Sequence, residues 1–135
     1  LTTKYEFARV LEIGAASILQ PALGRVGGIL EAKKIAGMAE SYYAQIAPHL
    51  YCGPIEGAAN IQLSVCSPNF LMLEGIKRWD GFHAEILKKP VRWDSGYVIP
   101  SDEPGIGVEF NEAVALANPY TETALNLEME EKPIM

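Results

Sequence analysis

Two residues in this sequence stand in matching places and could do chemistry together. His49 follows the short apolar run Ala44-Gln45-Ile46-Ala47-Pro48, and Glu74 closes a second run, Phe70-Leu71-Met72-Leu73. A histidine and a carboxylate at neighbouring strand ends, facing one bowl, form an acid/base pair suited to proton transfer near neutral pH. Taken singly, His49 also reads as a structural histidine and Glu74 as a solvated strand-end carboxylate. Their matched positions bring the functional reading level with the structural one. The other polar candidates read as structure. His83 lies outside the repeated pattern and is expected at the surface or in a loop. Cys52 and Cys66 fit no zinc spacing and no disulfide framework. Both are expected as free thiols, packed as small buried apolar side chains. The glycines of Gly24-Arg25-Val26-Gly27-Gly28 match neither a dinucleotide fingerprint nor a P-loop, so a tight turn accounts for them. Glu122, Glu128, Glu130 and Glu131 are expected to form a solvated acidic tail.

The elements that must position His49 and Glu74 are legible from breakers and periodicity. Thr3 and Glu6 fit a capping box ahead of Phe7, Val10 and Leu11 at helical spacing, and Gly14 ends that helix. The run Ala15-Ala16-Ser17-Ile18-Leu19-Gln20, closed by Pro21, suits a strand buried on both faces. A helix follows with Ile29, Ala32, Ile35, Ala36 and Ala39 on one face. The run ending in His49 is the second strand, and a helix over about residues 55–65 comes next. The run ending in Glu74 is the third. Gln20, Ala47 and Leu73 are about 26 residues apart, with one helix in each gap, which implies parallel strands joined by right-handed crossovers. Three such units leave an open sheet with two raw edges; eight close into a barrel. Function in such architectures gathers at the C-terminal strand ends. From Ile76 the pattern turns irregular. Arg92-Trp93 and Tyr97-Val98-Ile99 flank an Asp-Ser-Gly turn and read as a hairpin. Residues 112–117 read as one or two helical turns, and residues 121–135 as a tail that packs elsewhere or frays.

Composition sets the outer limits. The chain has 135 residues, enough for one core but short for a complete α/β barrel. Its 49% apolar and 21% charged content is that of an ordinary soluble protein. No window approaches the ~20 apolar residues that span a bilayer. Residues 1–6 carry no secretory pattern and read like the middle of a domain, so a cytoplasmic location is expected and no membrane partner. A net charge of −6, with basic residues scattered, repels phosphate backbones and argues against nucleic acid as a partner.

Several segments in order resemble one family. The stretch from Gln20-Pro21-Ala22 to Gly27-Gly28 resembles the sixth-strand pattern Q-P-D-x-x-x-x-G-G of the mandelate racemase/muconate lactonizing enzyme group in the enolase superfamily. Ala47-Pro48-His49 is similar to the A-P-H that ends the seventh strand. Ser67-Pro68-Asn69-Phe70-Leu71-Met72-Leu73-Glu74 resembles the T-P-N-F-x-x-x-E of the eighth. Gly96-Tyr97-Val98-Ile99-Pro100 and Pro104-Gly105-Ile106-Gly107-Val108 resemble the C-terminal hairpin. The resemblance covers nearly the whole chain. It implies an α/β fold that is the C-terminal part of a (β/α)7β TIM-like barrel. Residues 1–80 would hold the sixth to eighth strands, and residues 81–135 a hairpin and tail packing on a capping domain.

The resemblance also implies an activity. Such enzymes abstract the proton α to a carboxylate, with a divalent metal, usually magnesium, stabilising the enediolate. His49 would be an acid/base, and in a dehydratase would protonate the departing hydroxyl; Glu74 would bind the substrate carboxylate. Gln20, Leu50 and Tyr51 would line the substrate pocket. The metal ligands and a second-strand lysine would precede Leu1, leaving none in this chain. Two positions depart from the pattern. Ala22 stands where an aspartate normally bonds the histidine's second ring nitrogen, and Leu50 stands where asparagine often follows the histidine. The expected activity is a sugar-acid dehydratase. The alternatives are a racemase, epimerase or cycloisomerase, against which Ala22 tilts slightly, and a non-catalytic homologue or fragment. An isolated partial barrel would expose apolar faces and an edge. The chain is therefore expected to need the remainder of the barrel and the capping domain, and to form homo-oligomers like its relatives.

Overall fold

The structure, a computed structural model, describes residues 1–75 and 79–121. Helix α1 (Lys4–Glu12) starts at the capping box: Glu6 N–H donates to Thr3 Oγ1, and Glu6 Oε2 accepts the N–H groups of Thr2 and Thr3, both at 2.8 Å. Those bonds hold the Glu6 carboxyl down at about 2. Gly14 takes a left-handed φ of 63° just after the helix. Strand β1 (Ile18–Leu19) follows, then α2 (Leu23–Val26), α3 (Ile29–Ser41), β2 (Gln45–Ile46) and α4 (Pro54–Val65). Gly27 and Gly28, at φ 99° and 93°, make the tight turn between α2 and α3.

β1 and β2 pair in parallel, Ile18 with Gln45 and Leu19 with Ile46. The third run meets β2 through one parallel bridge, Ile46 with Phe70, rather than as the full strand its pattern suggested. The physical reason lies in the ladder. Ile46 N–H donates to Asn69 O, and Leu71 N–H donates to Ile46 O, both at 2.9 Å. The next parallel bond would run from residue 48 to Leu71 O, and Pro48 has no N–H to give.

Leu19 and Ile46 point into a core with Phe7, Leu11, Ile35 and Leu63. Ala32, Ala36 and Ala39 are fully buried, and their small side chains let α3 lie close to its neighbours. Ile29, expected on the same face, is 39% exposed because it opens the first turn. Burial of β1 on both faces is corrected to burial on one. Leu19 is covered, while Ile18 remains 47% exposed on the face without helices. Asn69 ties the third run down, its Nδ2 donating to Ala36 O and Ala44 O.

Beyond residue 78 come α5 (Phe82–Glu85), the hairpin of β3 (Arg92–Asp94) and β4 (Tyr97–Ile99), and α6 (Glu112–Ala117). The hairpin register pairs Arg92 with Ile99 and Asp94 with Tyr97. Its two turn residues, Ser95 and Gly96, both have positive φ, the geometry that follows the twist of a tight hairpin. The acidic tail residues Glu122, Glu128, Glu130 and Glu131 lie outside the described residues.

Gly57, buried in α4, lies under the indole of Trp79, and a methyl there would overlap the ring. Alanine normally gains roughly 1 kcal/mol over glycine inside a helix. Here the steric conflict outweighs that gain, so Gly57→Ala should destabilise by about 1–3 kcal/mol. Denaturant unfolding checks this; an unchanged or raised midpoint contradicts the packing described.

Candidate active site

Pro21 and Pro48, both fully buried, each withhold a ladder donor at the same end of the sheet. Pairing with the third run stops there, and His49, the residue after Pro48, stays paired with β1 alone. Its backbone N–H donates to Pro21 O at 3.2 Å, which keeps it at the end of β1. The imidazole Nδ1 lies 2.6 Å from Glu74 Oε2. Leu50 N–H donates to the same oxygen at 2.9 Å. One carboxylate oxygen thus holds both the ring of His49 and the backbone of the next residue. The two side chains remain 36% and 40% exposed, open to a ligand.

This contact selects a tautomer. With Nδ1–H donated to the carboxylate, Nε2 is the nitrogen left to take up or release a proton. His49 and Glu74 were expected to face one bowl; the structure bonds them to each other. Ala22 is the N-cap of α2 and makes no side-chain hydrogen bond there, and its methyl cannot take an imidazole proton. The partner of His49 comes instead from the third run.

The remaining sequence candidates are placed less centrally. Gln20 is exposed, Tyr51 is 74% exposed, and neither hydrogen-bonds to the His49–Glu74 pair among the described residues. Leu50 is buried, with its N–H held by Glu74; its side chain lines a cavity of about 200 Å³ with Trp79, Asp80, His83 and Trp93. His83 is exposed, as expected; it sits in α5 and borders that cavity.

Two residues that brace this region were missed. Glu56 Oε1 accepts Gly24 N–H at 2.8 Å, joining the start of α2 to the first turn of α4. A side chain at residue 24 would press on that carboxylate, so the glycine permits the contact. Trp79 Nε1–H donates to Cys52 O at 3.3 Å and ties the segment after Glu74 to the loop after His49. The available signal was an acid in the first turn of a helix at the mouth, and both tryptophans of the chain in one turn-rich stretch.

The cysteines need a correction. Cys52 is half-buried, but Cys66 is exposed, because it is the C-cap residue where α4 runs out into solvent. Burial, followed by the charge of Glu56, pushes the Cys52 thiol up to about 12. No group of three or more His, Cys, Asp or Glu among the described residues could hold a metal ion, so these residues do not fit a magnesium site. No helix among them is long and apolar enough to cross a membrane.

A chain of strand–helix–strand units with a histidine and a carboxylate at the strand ends is an α/β architecture with a polar mouth. The family model for enolase C-terminal domain-like proteins matches residues 1–114, and the chain belongs to that family. It is 42% identical over 122 residues to the D-galactonate dehydratase of Ralstonia nicotianae (strain ATCC BAA-1114 / GMI1000), covering 84% of this chain and 31% of that protein. It is similar to the crystal structure of the mandelate racemase/muconate lactonizing enzyme from Sulfitobacter sp., with 57% identity and a TM-score of 0.88, over 98% of this chain and 33% of that one. An enolase from Pantoea ananatis with bound D-gluconate and magnesium matches at 29% identity and a TM-score of 0.80, over 87% of this chain and 28% of that one. The chain therefore spans about a third of the length of the relatives it matches.

Thiol reactivity follows the thiolate fraction. With its thiol near 12, Cys52 holds on the order of one part in ten thousand as thiolate at pH 8. Peptide-resolved alkylation with iodoacetamide at pH 8 should label exposed Cys66 well before Cys52, and Cys52 should gain as pH rises toward 12. Equal labelling at pH 8 contradicts the local environment described.

Proposed function

We propose that this chain is the C-terminal part of a lyase that removes water from a sugar acid. In this reading residues 1–80 supply the last three βα units of a barrel, and residues 81–135 a hairpin and tail that pack on a capping domain. The remainder of the barrel, that domain and homo-oligomer formation complete the enzyme in the cytoplasm. The observation that carries the reading is the contact of His49 Nδ1 with Glu74 Oε2 at the mouth of the sheet. The relatives support the substrate class: one is a D-galactonate dehydratase, and another holds D-gluconate with magnesium.

Dehydration breaks the C–H bond α to the carboxylate and the C–O bond β to it. The α-proton goes to a base outside this chain. The β-hydroxyl needs a proton to leave as water, and His49 supplies it from Nε2 while Glu74 stabilises the imidazolium through Nδ1. The product is an enol that becomes the 2-keto-3-deoxy acid. Glu74 is therefore assigned as the carboxylate that orients His49; its second oxygen is the atom offered to the substrate. Gln20, Leu50 and Tyr51 are retained as pocket residues, Leu50 through its side chain. Magnesium is assigned to carboxylates outside this chain, and no step here is routed through it.

The test uses the chain assembled with the rest of its barrel and supplied with magnesium. His49→Asn should lower kcat/KM for dehydration by about 10³-fold. Glu74→Gln, which keeps the shape but loses the charge, should cost about 10–100-fold. Exchange of the α-hydrogen with deuterated solvent but no water loss would make the protein a racemase or epimerase instead. Full dehydration by His49→Asn would end the proposal.

A further inference from the structure

The segments on either side of His49 are held by one carboxylate. Glu56 stands in the first turn of α4, where an acid is ordinarily explained by the positive end of its own helix. Its reach is longer than that. Oε1 accepts the N–H of Gly24 at 2.8 Å, 32 residues back along the chain. That N–H belongs to the first turn of α2, where a helix offers it no acceptor, and the N-cap Ala22 supplies none from its side chain. Gly24 makes the approach possible, since a Cβ there would lie 2.9 Å from Glu56 Oε2. The same carboxylate meets the Cys52 thiol: burial, then the charge of Glu56 and a hydrogen bond to it, push that thiol up to about 12. Both contacts lead to His49. Pro21, three residues before Gly24, accepts the His49 N–H at 3.2 Å through its carbonyl oxygen, and Cys52 stands three residues after His49.

Building on the lyase reading above, we propose that Glu56 is a positioning residue for the proton that His49 delivers to the departing hydroxyl. It acts through the backbone on both flanks of the histidine, fixing residues 21–24 on one side and Cys52 on the other. Glu74 sets which ring nitrogen holds the proton, and Glu56 sets where the ring stands. Proton transfer needs donor and acceptor within hydrogen-bond reach, so a small shift of this loop slows that step without changing what binds the substrate. Abstraction of the α-proton, by a base outside this chain, does not pass through the loop. The dependence on Glu56 therefore falls on water loss and spares the abstraction.

The test follows water loss and α-hydrogen exchange in deuterated solvent, using the magnesium-loaded, complete enzyme and a sugar acid that the wild type dehydrates. Glu56→Ala should lower kcat for water loss by about tenfold and leave KM within about twofold. Deuterium should still enter the α-carbon of recovered substrate at the wild-type rate or faster. Glu56→Gln keeps an oxygen for Gly24 N–H and should restore kcat to within about threefold of wild type. Gly24→Ala displaces the carboxylate and leaves α4 itself unaltered, so it gives the same reading if Glu56→Ala does not fold. It should slow water loss in the same way, and cost nothing further once residue 56 is alanine. Exchange that falls together with water loss reduces Glu56 to a structural role and overturns the inference. So does Glu56→Gln no better than Glu56→Ala, or losses from Gly24→Ala and Glu56→Ala that simply add. Water loss untouched by Glu56→Ala sinks the positioning role and leaves the lyase reading standing. A wild type that dehydrates no sugar acid sinks both.

Discussion

A parallel ladder needs an N–H from alternate residues of each strand, and two prolines withhold it here at one end of the sheet. That constraint governs the rest of the site. Pro48 ends the pairing of β2 with the third run, and Pro21 removes the matching donor from β1. His49 keeps its N–H on Pro21 O but has no partner on its other side, and its ring meets Glu74 there. Leu50 N–H then joins the same carboxylate oxygen. The acid/base geometry is thus a consequence of where backbone hydrogen bonding stops, as well as of which side chains are present.

The rim that surrounds the pair is braced by long-range polar contacts rather than by regular structure. Glu56 reaches Gly24 across two helices, and Trp79 reaches Cys52 across the segments that follow His49 and Glu74. Lys33 Nζ donates to Cys66 O at the C-terminal end of α4, tying α3 to α4. Each contact joins one βα segment to the next, so the mouth is held while one face of the sheet stays uncovered. Ile18 and Met72 remain exposed apolar residues, and β1 has no outer strand partner among the described residues. A surface of that kind is suited to burial against further strands.

Much of the order of elements could be read from the residues. The capping box, the proline and glycine stops, the alanine face of α3 and the Asp-Ser-Gly hairpin all rest on local rules, and local rules are visible in a sequence. The full third strand could not be read correctly, because its ladder depends on Pro48 in another segment. Cys66 was assigned to the interior from its residue type, whereas the end of α4 decides its exposure. At the site, the types and places of His49 and Glu74 were legible, but their direct bond was not. It depends on how the chain turns after Pro48. Trp79 was invisible for a similar reason: its position depends on Gly57, which is distant in sequence and has no side chain to advertise the contact.

The account turns on His49 holding its proton at Nδ1 because Glu74 accepts it. Nitrogen-15 NMR of the imidazole in the complete, magnesium-loaded enzyme reads this directly. The neutral ring of His49 should show a protonated Nδ1 and a bare Nε2, and Glu74→Gln should remove that preference. A neutral ring protonated at Nε2, or one indifferent to Glu74→Gln, would contradict the account.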